Sequence, residues 1–144
     1  MHRRPVGRTR LLAAIGALVA LAGCFLPWWM VGGEAGLPEL SGNAFESFGI
    51  LVFGAAIATL ALVTLPYASE RPVHADRWTT YAIFAAVGSA GLAVRVVDLA
   101  THSSFQFREP IDVITRIPGL WLAGIGLFIL ARATYEMLHE PRLR

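Results

Sequence analysis

Four apolar stretches, Leu11 to Gly32, Phe48 to Tyr67, Thr79 to Val94 and Ile117 to Ala131, fill most of this 144-residue chain. Each approaches the roughly 20 residues that a helix needs to cross a hydrocarbon core, once amphipathic residues at its ends are counted. The connections between them are short. The whole chain, 1–144, therefore reads as one integral membrane domain, with spans at about 11–32, 46–67, 78–100 and 117–137. The predicted fold class is all-α, a four-transmembrane-helix bundle.

Composition agrees with the span count. Apolar residues make up 56% of the chain and charged residues 15%, against roughly 45–50% and 25% in an average soluble domain. All twelve basic residues are Arg, which fits a GC-rich genome. Their placement argues for topology and against nucleic-acid binding. Arg3, Arg4, Arg8 and Arg10 precede the first span, Arg71 and Arg77 separate the second and third, and Arg132, Arg142 and Arg144 close the fourth. The opposite side has Arg95, Arg108 and Arg116. Nine against three is a positive-inside bias that puts both termini in the cytoplasm (N-in, C-in) and the protein in the plasma (inner) membrane. Aromatic residues draw the same map. Trp28, Trp29, Phe45 and Trp121 mark the outer ends of the spans, and Tyr67, Trp78, Tyr81 and Tyr135 the inner ends.

Punctuation sets the predicted boundaries. Asn43-Ala44-Phe45-Glu46 has the spacing of a capping box, which starts the second helix there. Pro66 is expected to close that helix and Pro27 to kink or end the first. Between Thr101 and Pro118, Pro110 with Ile111, Ile114 and Ile117 reads as a short interfacial helix or an irregular loop. Leu21-Ala22-Gly23-Cys24 after an Arg-rich start has the form of a bacterial lipobox, in which Cys24 would carry a lipid. The apolar run continues through Val31 instead of turning polar, so the expectation is an unmodified Cys24 in an uncleaved first span.

Small residues form seams on each span: Gly16, Ala20 and Gly23; Ser47, Gly54, Ala58 and Ala61; Gly88 and Gly91; Ala123, Gly126 and Ala133. Such seams allow close backbone approach where lipid gives no hydrophobic drive for association, either within the bundle or against a protein partner or second copy.

Charges near the membrane interior are the main functional lead. Arg95 and Asp98 stand three apart on the third span, and Gly88 and Gly91 lie within about 40° of Arg95 on a helical wheel. The pair therefore belongs to the packing face, with Asn43 or Glu46 as an additional partner. It reads as a structural ion pair locking the outer end of the bundle, and alternatively as a polar site open to the outside. Arg132 shares a face with Trp121, Ile125 and Phe128, and Glu136 follows at i+4, the pattern of a snorkelling surface pair.

Absences remove familiar chemistries. One Cys cannot supply a Cys-x-x-Cys couple. His2, His74, His102 and His139 all lie outside the expected hydrocarbon core, so no pair can clamp a haem between spans. There is no metal-ligand spacing, no phosphate-binding Gly-rich loop, no carboxylate in the first span of the kind small multidrug exporters use, and no paired Cys and Trp pattern of claudin-like loops. No nucleophile has a base within helical reach. The sequence implies no enzyme, no cofactor and no metal.

Phe25-Leu26-Pro27-Trp28-Trp29, Asn43-Ala44-Phe45-Glu46-Ser47-Phe48, Arg95-Val96-Val97-Asp98 and Pro118-Gly119-Leu120-Trp121-Leu122 together resemble a group of small, uncharacterised four-span integral membrane proteins of high-GC bacteria. The resemblance covers most of the chain and implies the four-helix fold. It implies no activity or substrate. The expected function is a non-catalytic, multi-pass accessory or structural subunit of a larger membrane complex. The alternative is a small oligomeric transporter or channel with an outward-facing polar site.

Overall fold

The computed structural model describes residues 7–33, 36–68, 77–102, 107 and 109–139. Expectations resting on His2, Arg3, Arg4, Arg71, His74, Arg108, Arg142 and Arg144 lie outside the described residues. The chain runs α1 (Arg8–Phe25), β1 (Trp29–Val31), β2 (Leu40–Gly42), a 3₁₀ turn (Ala44–Glu46), α2 (Ile50–Ala68), α3 (Trp78–Thr101), α4 (Asp112–Thr115) and α5 (Pro118–His139). Among the described residues, four helices are long and apolar enough to cross a membrane: α1, α2, α3 and α5. They close a four-helix bundle in which α1 packs on α2 and α5, and α3 packs on α2 and α5.

The closest approach is between α1 and α5, which run antiparallel. A Cβ placed on Gly16 would lie 2.7 Å from Leu130 N and 2.8 Å from Gly126 O, and one on Gly23 would lie 2.5 Å from Ala123 N and 2.8 Å from Gly119 O. Backbone therefore meets backbone at two levels seven residues apart. Ala13, Ala17, Ala20, Ala123 and Ala133 fill the seam between them and are at most 1% exposed. The α1 and α5 seams read from the sequence are the ones used, as are Gly88 and Gly91 of α3, where a Cβ would strike Leu127 Cδ2 and Leu51 Cβ at 2.7 Å.

The α2 seam is a correction. Gly54 and Ala61 face outward, a Cβ on Gly54 would meet nothing within 4 Å, and Ser47 precedes the helix. The packed face is instead Val52, Ala55, Ala56, Thr59, Leu62 and Val63. Two small-residue stripes run along this helix, and its rotation is set by how it enters the bundle. The helix starts at Ile50 instead of at residue 46. Asn43 does cap, its Oδ1 accepting from Phe45 N at 3.1 Å, but only a single 3₁₀ turn follows. Gly49 then rests on the Ala44 backbone, 2.8 Å from Ala44 Cα to the position a Cβ would take, and α2 begins after it. Pro66 is also corrected: it sits inside α2, which continues to Ala68. So near a helix end the missing N–H leaves only one carbonyl unpaired, and the last two residues still wind on.

The first span ends at Phe25, well short of Gly32. Pro27 has no N–H for the carbonyl of Gly23, and the indole Nε1–H of Trp28 takes that place at 2.9 Å. Trp28 is fully buried, as Tyr81 is at 1% exposure, so both belong to the core and not to an aromatic belt. The remaining apolar residues of that stretch form a hairpin. Trp29, Met30 and Val31 pair antiparallel with Gly42, Ser41 and Leu40. Gly32 and Gly33 turn the chain at φ of 87° and 81°, a region costly for residues with a Cβ. Between α3 and α5, the short interfacial helix is present as α4, with Ile111 and Ile114 exposed and the Trp121 indole donating to Val113 O at 2.8 Å.

Candidate functional site

The buried stripe of α3 runs Tyr81, Ala85, Gly88, Gly91, Arg95, Leu99. Arg95 thus occupies a core position by helical period, at the hairpin end of the bundle, and is 7% exposed. Its aliphatic stem packs inside while the guanidinium reaches the end of the bundle. Nη1 donates to Asp98 Oδ2 at 2.5 Å, one turn along the same helix. Nη2 lies 3.5 Å from Glu46 Oε2, which the 3₁₀ turn brings in from the other side. The guanidinium is therefore held between two carboxylates from two elements. Nε is buried with no hydrogen-bond partner.

The second layer closes the cluster. Trp29 of β1 donates its indole N–H to Glu46 Oε2 at 2.8 Å. At the other end His102 Nδ1 stands 3.2 Å from Asp98 Oδ1 and 2.9 Å from the Asp98 carbonyl oxygen. Gly42, paired with Trp29 across the hairpin, is the floor under this arrangement. A Cβ there would overlap both Glu46 carboxylate oxygens and Trp29 Nε1. Together Trp29, Glu46, Arg95, Asp98, Leu99 and His102 line an open cleft of about 310 Å³.

Arg95 and Asp98 pair as their i, i+3 spacing predicts, and Glu46 joins them from the 3₁₀ turn. Asn43 does not: its side chain is spent on the cap of the 3₁₀ turn. Trp29 and His102 were missed by sequence reasoning. His102 is at i+4 from Asp98, a spacing that carries the signal. Trp29 is seventeen residues from Glu46, and only the unexpected hairpin joins them. Cys24 lies in α1 and is fully buried. Arg132 Nε pairs with Glu136 Oε1 at 3.0 Å on the surface of α5, as the i+4 spacing requires.

The cluster has two negative groups to one guanidinium, and its exposure is uneven. The Arg95 side chain is 8% exposed, against 44% for Glu46 and 34% for Asp98, so the cation is inside and the carboxylates face the cleft. Among the described residues, no group of three or more His, Cys, Asp or Glu side chains has a metal-holding arrangement. Comparison with protein-family models, curated proteins and solved structures finds no match to this chain. The fold itself defines the class: a multi-pass membrane protein, with apolar helices in contact with lipid.

Proposed function

We propose that this chain is a non-catalytic subunit of a larger membrane complex, N-in and C-in in the plasma membrane, whose outward α2 and α3 faces pack against another protein. The supporting observation is that small exposed residues interrupt the outward faces of α2 and α3 more often than those of α1 and α5. On α1 and α5 the outward faces carry Leu11, Ile15, Leu18 and Phe25, and Trp121, Ile125 and Phe128, all large and exposed. On α2 and α3 large exposed residues are also present, Ile50, Ile57 and Leu65, and Ile83, Val87, Val94 and Val97, but exposed Gly54 and Ala61, and Ala86, Ala90, Ala93 and Ala100, lie between them. Large side chains cover a helix in lipid, whereas small ones invite a second helix. Within the spans, Thr59 and Thr134 return their hydroxyls to the carbonyls one turn back, which supports a packed, static interior.

The open cleft at Glu46 and Asp98 favours a second reading, a homo-oligomeric transporter or channel with an outward-facing polar site. Native purification followed by mass spectrometry separates the two. A stoichiometric partner whose contact is lost in an Ala90→Leu variant supports the subunit reading. A pure homo-oligomer overturns it in favour of the second.

A further inference from the structure

We propose that the cleft at the hairpin end binds an organic ammonium group with an oxygen acceptor beside it, the pattern of an ethanolamine phosphate. Two features of the cluster ask for the two halves of this ligand. The partly exposed carboxylates of Glu46 and Asp98 face the cleft with one buried guanidinium between them; His102 stands against Asp98, so Glu46, the more exposed of the two, is the anion that a cation balances. An ammonium has three donors for carboxylate oxygens, and the Trp29 ring adds an aromatic wall of the kind that attracts organic cations. Arg95 lines the same cleft and its buried Nε–H lacks an acceptor, which is costly for a charged group in apolar surroundings. An oxygen of the ligand seated against the guanidinium adds an acceptor for Nη2, whose contact with Glu46 is long at 3.5 Å. The volume of about 310 Å³ lies at the small end of ligand sites and suits a head group of this size.

The position favours a lipid as the source. The cleft sits where the spans end, at the depth of head groups, and Trp29 is an interfacial residue type. A soluble amine of the same pattern is the other source. This inference is independent of the subunit reading, because a bound head group requires neither a partner nor transport.

The test is native mass spectrometry of the full chain released from nanodiscs of mixed phosphatidylethanolamine and phosphatidylglycerol, with soluble phosphoethanolamine titrated in parallel against matched sodium chloride. The expected result is retention of phosphatidylethanolamine over phosphatidylglycerol, reduced about tenfold by Glu46→Gln, the scale of one lost charged hydrogen bond. Equal retention of the two lipids with binding of soluble phosphoethanolamine keeps the ligand class and makes the source soluble. Absence of both, preference for phosphatidylglycerol, or a preference that survives Glu46→Gln overturns the proposal. If Glu46→Gln does not fold, Trp29→Phe serves as the second variant. It exchanges the indole for a weaker cation-attracting ring and removes the donor that orients Glu46, so retention is expected to fall, and a preference for phosphatidylethanolamine that is unchanged in Trp29→Phe overturns the proposal.

Discussion

Adding one methyl group at Gly126 tests the α1/α5 seam. In Gly126→Ala the new Cβ would lie 2.6 Å from both Ala20 Cα and Gly16 O and closer still to Ala20 N. These are backbone atoms of a helix, so no side-chain rotation relieves the overlap. The helices must part by about 1 Å, which loosens a seam of fully buried alanines, and overpacking of this kind costs about 1–3 kcal/mol. Alanine's better helix propensity returns about 1 kcal/mol. With a backbone-to-backbone clash at the upper end of that range, the net loss is about 2 kcal/mol. Gly124→Ala, two residues away, meets only Leu92 Cδ2 at 3.8 Å, and Gly54→Ala meets nothing within 4 Å. Both are expected to melt at or slightly above the parent. Thermal unfolding of the four proteins in one detergent, followed by intrinsic fluorescence and by size-exclusion recovery, reads the difference. If Gly126→Ala melts with the parent, or Gly54→Ala falls as far, the packing argument is refuted.

Three further outcomes follow from the same geometry. Asp98→Asn and Arg95→Gln should each lower the detergent melting temperature by the equivalent of about 1–3 kcal/mol, less than for a fully buried pair because Asp98 is one-third exposed, and the double change should recover part of it. A double-mutant cycle checks this, and additive losses would contradict the pairing. Trp28→Phe leaves the Gly23 carbonyl without its donor and opens a gap in the core, a loss of about 1–3 kcal/mol that the same melts would detect and that parental stability would rule out. Intact-mass measurement should give the full-length chain with an unmodified Cys24, and a product starting at Cys24 with a diacylglyceryl adduct would make it a lipoprotein.

The four spans were legible because hydrophobic length is a local signal, and α3 and α5 fall within two residues of their expected ends. The packing of Arg95 was legible too, since Gly88 and Gly91 share its helical face. What stayed hidden depended on contacts between segments. The run from Leu11 to Gly32 is continuous in hydropathy, and nothing in it marks the change from helix to strand except Pro27, whose lost N–H ends α1. Once the hairpin forms, Trp29 reaches Glu46, and Glu46 leaves the capping box that its spacing suggested. On α2, periodicity identifies both small-residue stripes equally well, and only the entry past Gly49 selects Ala55, Ala56 and Thr59 over Gly54 and Ala61.

The four-span membrane bundle, with the proposed placement of both termini in the cytoplasm, is tested most directly by cysteine accessibility in a Cys24→Ala background. A single Cys is placed at Ser41, exposed on β2, or at Ser69, which follows α2, and intact cells are treated with a membrane-impermeant maleimide. The account predicts labelling at position 41 and none at 69 until the cells are lysed. Labelling of 69 but not 41 in intact cells would reverse the orientation, and labelling of both would contradict the spans themselves.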